Sequence, residues 1–299
     1  MAPLATAAIN DATPSSPLSF PVKPGLLPLY LYEEIPLWMR DNSFIRTGYR
    51  AHYTVRQCLL SLFTIHNETA NIWTHLLGLL FFVAISSIVF ISFIEPLWSH
   101  YVIFLLFSLS CMMCMGTSAA FHLFSAHYCD KFCGKMASLD YFGISCLVIG
   151  SFFPLCYYAF SCEPFWRWAY LGMISILGSV GIIGPFFEFF RSPEFFLQRI
   201  LVFSAMTASG MFPTLHVLFI LPTSSATPVV GGMALMLLMY LSGMIIYILR
   251  VPERWFPGQF DTWLHSHQLW HVFVFAAATV HYFTCLSMYS RWNAMNAHC

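Results

Sequence analysis

The chain of 299 residues is 59% hydrophobic and only 9% charged, with a mean hydropathy of +0.71. A water-soluble domain carries about a quarter charged residues, so most of this surface must face lipid. The formal net charge is zero, which leaves no electrostatic case for a nucleic-acid partner.

Residues 1–28, rich in Pro, Ser, Ala and Thr, read as a disordered tail. They have neither a basic n-region nor a compact apolar h-region, so no cleaved signal peptide is expected and the first membrane helix acts as the anchor. Residues 29–66 read as a cytoplasmic amphipathic segment, suited to docking a partner or to lying on the membrane. A spanning helix needs about 20 predominantly apolar residues. Seven such runs follow, at about 72–94, 101–124, 138–160, 166–189, 198–220, 229–250 and 267–289. The expected fold is an all-α membrane protein. Its seven-helix transmembrane domain covers residues 67–292, and residues 293–299 form a short outer tail.

Basic residues accumulate on the cytoplasmic side of a membrane protein. Lys23, Arg40, Arg46, Arg50, Arg56, Lys131, Lys135, Arg191, Arg199, Arg250 and Arg254 fall on one side, eleven in all, and only Arg167 and Arg291 on the other. The split predicts an inside N-terminus and an outside C-terminus, opposite to a G-protein-coupled receptor. No lysine follows Lys135, so retinal has no attachment point in span 7. The sequon Asn67-Glu68-Thr69 falls on the cytoplasmic side and is not expected to be glycosylated. Ten cysteines do not make a secreted disulfide framework. Cys111, Cys114, Cys146 and Cys156 lie in apolar runs, where a thiol behaves as a small hydrophobe. Cys129 and Cys133 flank Asp130 and Lys131 in a polar loop; their spacing suits a metal as the alternative, and a pair of reduced thiols is the favoured reading.

An ionisable group inside a membrane span costs several kcal/mol and needs a reason. Four polar clusters are placed in one layer at the cytoplasmic face. Glu68, Asn71 and His75 open span 1, Ser118 and His122 close span 2, Asp140 opens span 3, and "HSHQLWH" opens span 7. His267 and His271 are four residues apart, on one helical face. That separation lets two imidazoles hold one Zn²⁺, as in H-E-x-x-H, but Gln268 stands where that motif has its glutamate. His122 supplies a third nitrogen. Three protein ligands leave a fourth position for water, as in catalytic zinc sites. Asp140 and Ser118 are placed to accept a hydrogen bond from that water. The alternative is that these histidines simply bond to backbone carbonyls. Glu68, Asn71 and His75 read as a structural polar lock between spans. His216 and His281 lie too far outward to join the site, and His265 is at best a reserve ligand.

The stretches "HNETANIWTHLLG", "SAAFHLFSAH", "LDYFGI", "VPERWFPGQFD" and "HSHQLWH" resemble the progestin and adipoQ receptor family, especially its adiponectin-receptor-like class. "GYRAHY", "PTLH" and "VPERWFPGQ" also resemble its Golgi member that traps Raf kinase, and plant and fungal heptahelical relatives. The resemblance covers about residues 29–292. It implies seven helices with an inside N-terminus and a zinc near the cytoplasmic face. The three histidine ligands fall on His122, His267 and His271, the aspartate beside the zinc-bound water on Asp140, and the motif serine on Ser118. It further implies lipid signalling, hydrolysis of ceramide-type amides inside the bundle, and residence in the plasma membrane or the Golgi and endomembranes. The tails are shorter than those of the vertebrate adiponectin receptors, which argues against adiponectin itself as the ligand.

The leading expectation is therefore a membrane receptor with latent zinc-hydrolase chemistry, in which Asp140 takes or relays a proton. Pro154, Pro185 and Pro213 fall within spans 3, 4 and 5, where they can kink a helix and open a lipid cavity. The expected partners are a lipid or fatty acid within the bundle, an extracellular protein ligand and a cytosolic signalling partner. Two rivals remain. One is a scaffold with structural zinc that holds a cytosolic partner through residues 29–66. The other is a proton relay, which the sparsely ionisable outer halves of the spans disfavour.

Overall fold

The computed structural model describes residues 27–93 and 97–294. Nearly all of the expected N-terminal tail, and residues 295–299 of the outer tail, lie outside them. Strands β1 (Leu29–Tyr30) and β2 (Tyr49–Arg50) pair antiparallel, and the short helix α1 (Val55–Ser61) follows. α1 starts at a reciprocal cap. Thr54 Oγ1 accepts the Gln57 N–H, and Gln57 Oε1 accepts the Thr54 N–H.

Among the described residues, seven helices are long and apolar enough to cross a membrane. Spans 1 to 3 are α2 (Thr69–Ser92), α3 (Trp98–Phe124) and α4 (Asp130–Ala159). Span 4 is α5 (Pro164–Ile183), and the one-turn helix α6 (Glu188–Arg191) follows it. Span 5 comprises α7 (Phe196–Ser209) and α8 (Met211–Ile220). Spans 6 and 7 are α9 (Thr223–Leu249) and α10 (Ser266–Ala294). Each overlaps one expected apolar run. α4 begins at Asp130 rather than near residue 138, because its first two turns carry Asp130, Lys131 and Lys135, charges that end an apolar run but not a helix.

The prolines act at different places. Pro154 lies inside α4. Pro185 sits in a 3-10 turn, Gly184–Phe186, that ends span 4, so the span stops short of residue 189. Pro213 follows the break at Gly210. Proline has no N–H to donate and its ring crowds the carbonyl four residues back. The Gly210 carbonyl accepts both the Thr214 N–H at 3.2 Å and the Thr214 hydroxyl at 2.7 Å.

Spans 2 and 3 approach closely through glycine. A Cβ at Gly143 would lie 2.2 Å from Thr117 Oγ1 and 3.0 Å from the Cys114 Cα, and one at Gly150 would lie 2.1 Å from Ser110 Oγ. Small residues let membrane helices pack backbone against backbone. Phe82, Phe104, Phe107, Met115 and Tyr282 fill the core between α2, α3 and α10.

Residues 27–68 form a cap over the face where span 1 begins. Arg50 is buried and donates to Ser61 Oγ at 2.5 Å, to the His122 carbonyl at 2.8 Å and to the Leu123 carbonyl at 3.2 Å. It thereby satisfies carbonyls that the end of α3 leaves without intrahelical donors. Asp261 accepts from the Arg46 N–H, the Thr47 N–H and the Thr47 hydroxyl at 3.0, 2.9 and 2.7 Å. Glu253 accepts from Asn42 Nδ2 at 3.1 Å, from the Ser266 N–H at 2.8 Å and from the Ser266 hydroxyl. Cys129 and Cys133 are free thiols. Cys162, in the loop between α4 and α5, is disulfide-bonded, which the sequence reading did not foresee.

Candidate metal centre

Each functional side chain is carried on a helix that starts or ends in the same layer. His122 lies in the last turn of α3, while His267 and His271 lie in the first two turns of α10. Their ring centroids form a near-equilateral triangle. The separations are 4.9 Å for His122–His267, 4.7 Å for His122–His271 and 4.9 Å for His267–His271. One nitrogen from each ring lies within 4.8 Å of the others. His122 and His271 are buried and His267 is half-buried. His122 Nε2 is buried and has no hydrogen-bond partner among the described residues, and three imidazoles are a donor set that suits a divalent transition metal.

His122 Nδ1 lies 2.7 Å from Glu68 Oε2, and the same oxygen accepts Asn71 Nδ2 at 2.7 Å. His271 Nδ1 lies 3.1 Å from the Asn71 carbonyl. Burial alone would raise the Glu68 carboxyl, but His122 and the Asn71 amide outweigh it and hold the group below the usual carboxylate range. Glu68 is thus a direct hydrogen-bond partner of His122 rather than only a lock between spans. The earlier signal for it was an acid three residues from Asn71 at a membrane entry.

Asp140 and Ser118 share a side-chain hydrogen bond. Both line a cavity of about 380 Å³ together with His75, His267, His271 and Arg199. Of the layer expected from the sequence, His75, Ser118, Asp140, His267 and His271 line this one cavity, and His122, Glu68 and Asn71 adjoin it through the triad. The remaining histidines lie apart from the triad. His265 Nε2 lies 3.1 Å from the Asn67 carbonyl, and burial lowers its pKa. His216 Nδ1 meets the Tyr170 hydroxyl at 2.9 Å, and His281 Nε2 meets the Ser151 carbonyl at 2.9 Å. Sequence reading missed Arg199 in the cavity wall and Arg50 behind His122, having counted both only as charges.

A family model described as Haemolysin-III related matches residues 63–282. The chain is 40% identical to the adiponectin receptor protein of Drosophila melanogaster over 257 residues, covering 84% of this chain and 57% of that protein. It is 39% identical to progestin and adipoQ receptor-like protein 1 of Caenorhabditis elegans over 264 residues, covering 84% of this chain and 59% of that one. It is 37% identical to progestin and adipoQ receptor family member 3 of Mus musculus over 270 residues, or 85% of each chain. The chain thus spans less than two thirds of the fly and nematode relatives but most of the mouse one.

Proposed function

The chain belongs to the haemolysin-III-related family, in its progestin and adipoQ receptor group, and from that premise we propose that it is a lipid-signalling membrane receptor with zinc-dependent lipid-amide hydrolysis inside the bundle. The observation that carries the reading is a cluster of three imidazoles, two of which, His267 and His271, line one cavity with the Asp140 carboxyl and the Ser118 hydroxyl inside a bundle of apolar helices.

His122, His267 and His271 would hold the ion, three nitrogens being the number found in open catalytic zinc sites. When bound, zinc supplies Lewis-acid polarisation of a carbonyl and a nucleophile at neutral pH. The protein does the rest. Asp140 takes and returns the proton, and Ser118 orients its carboxyl by the hydrogen bond between them. Ile144, Phe203 and Leu237, which line the same cavity, accommodate the acyl chain and keep bulk water out. The lipid or fatty acid enters from the bilayer. The excess of basic residues supports a site near the cytoplasmic face, an inside N-terminus and an outer face open to a protein ligand. A plasma-membrane or Golgi location is compatible with all of this.

A second reading also has an observation behind it. The cap exposes Val55, Leu59, Leu60, Phe63 and Ile65, an apolar surface suited to holding a cytosolic signalling partner while zinc plays a structural part. One experiment separates the two. Purified protein is assayed for zinc and for fatty-acid release from a ceramide, beside His122→Ala and His271→Ala. About one zinc per chain with turnover that both variants lose supports the enzyme. Bound zinc with no turnover on any lipid amide supports the scaffold. Full zinc retention by the double variant removes this ligand set.

A further inference from the structure

Glu68, Asn71 and His75 are spaced three and four residues apart, so they share one face at the start of α2. None belongs to the three-nitrogen cluster, yet each touches a member of it. Glu68 meets His122, the Asn71 carbonyl meets His271, and the His75 ring stacks on that of His271. We infer that this face of α2 is the orienting shell of the metal centre, with Glu68 the positioning residue for His122 and the Asn71 backbone that for His271. The inference rests on the metal reading above.

The argument is one of tautomers. A neutral imidazole carries one N–H and one lone pair, whereas a carboxylate and a backbone carbonyl only accept. The proton of His122 must then sit on Nδ1, facing Glu68 Oε2, and that of His271 on Nδ1, facing the Asn71 carbonyl. Both lone pairs are left on Nε2. His122 Nε2 is buried and has no hydrogen-bond partner among the described residues, so the fixed lone pair is free for a cation. Glu68 is itself held, because Asn71 Nδ2 donates to the same carboxylate oxygen. A carboxylate behind a histidine ligand fixes the ring and raises its basicity. Span 1 contributes no ligand, yet it determines which atoms the ligands present.

The test measures zinc affinity by competition with a chelator, together with the visible spectrum of the Co²⁺-loaded protein, for wild type, Glu68→Gln and Glu68→Ala. Glu68→Ala is expected to bind zinc about 10- to 100-fold more weakly. Glu68→Gln should lose less, since its amide oxygen can still accept the Nδ1–H, and its cobalt bands should shift. A merely structural role would lower the melting temperature and leave the spectrum of bound cobalt unchanged. Wild-type affinity and spectrum in Glu68→Gln would overturn the inference, and that variant decides the matter if Glu68→Ala does not fold. A wild type that binds neither metal would overturn the metal reading itself. A wild type and Glu68 variants that bind equally well would overturn only the orienting role.

Discussion

His75 lies flat against His271, with ring centroids 3.8 Å apart and planes 10° from parallel. Neither of its ring nitrogens, both buried, has a hydrogen-bond partner among the described residues. The contact is therefore ring against ring, and it carries the desolvation cost of two unpaired polar atoms. His75→Phe keeps the stacked surface and removes those atoms, so it should keep zinc content and leave stability equal or higher. His75→Ala leaves a void beside a ligand and should lower stability by about 0.5–3 kcal/mol. Zinc content and melting temperature check both. Loss of zinc from the Phe variant would show that a ring nitrogen of His75 does more than pack.

Asp140 distinguishes catalysis from support. Asp140→Asn preserves shape and polarity, so zinc and melting temperature should stay near wild type. Fatty-acid release from a ceramide should fall by about 10²-fold or more, the low end of a general acid–base contribution. Equal turnover by the two proteins would remove Asp140 from the mechanism. A joint fall in zinc and stability would make it a ligand.

The contact between spans 2 and 3 predicts an asymmetry between two glycines. A methyl at Gly143 meets Thr117 Oγ1 and the Cys114 backbone, while one at Gly172 meets nothing within 4 Å. Gly143→Ala should destabilise by about 1–3 kcal/mol, the usual cost of overpacking. Gly172→Ala should be neutral. Thermal unfolding in detergent gives the comparison.

Acid should weaken the cap through His66. Its Nδ1 accepts the Glu68 N–H at 3.1 Å, and its Nε2 lies 3.1 Å from the Ser61 carbonyl. Burial, with the Arg50 charge adding to it, lowers the ring from 6.5 to about 4. The folded state thus binds this proton less tightly than the unfolded chain does. The stability it contributes is complete above pH 6.5 and falls as the pH drops from 6.5 toward 4. Melting temperature measured across that window should show a shallower acid decline in His66→Gln. An identical slope in the two proteins would exclude His66 as the source.

The seven spans were legible because lipid imposes a requirement that hydropathy reads directly, a long run without charges. Their ends were less legible, as at Asp130, where a helix continues into water and the apolar signal stops. The triad was legible from the spacing of His267 and His271 and from the depth of His122. Ser118 and Asp140 were found by the same depth argument. Its surroundings were not legible. Glu68 reads as a lock until its oxygen is seen on His122. Arg50, Glu253 and Asp261 read as ordinary loop charges, because nothing in their local sequence marks them as buried. Their partners are 72 residues away for Arg50 and His122, and 215 for Arg46 and Asp261.

Arg50 gives those distant contacts a practical meaning. The match to the Haemolysin-III-related model begins at residue 63, thirteen positions after it, so the segment that model matches is smaller than the unit whose contacts build the site. A protein shortened to that match would leave the His122 and Leu123 carbonyls without their cation. It would also strip Asp261 and Glu253 of their partners at Arg46, Thr47 and Asn42. Anyone grafting this membrane core onto another soluble head would need to carry the preceding forty or so residues with it, because the floor beneath the histidines is built from them.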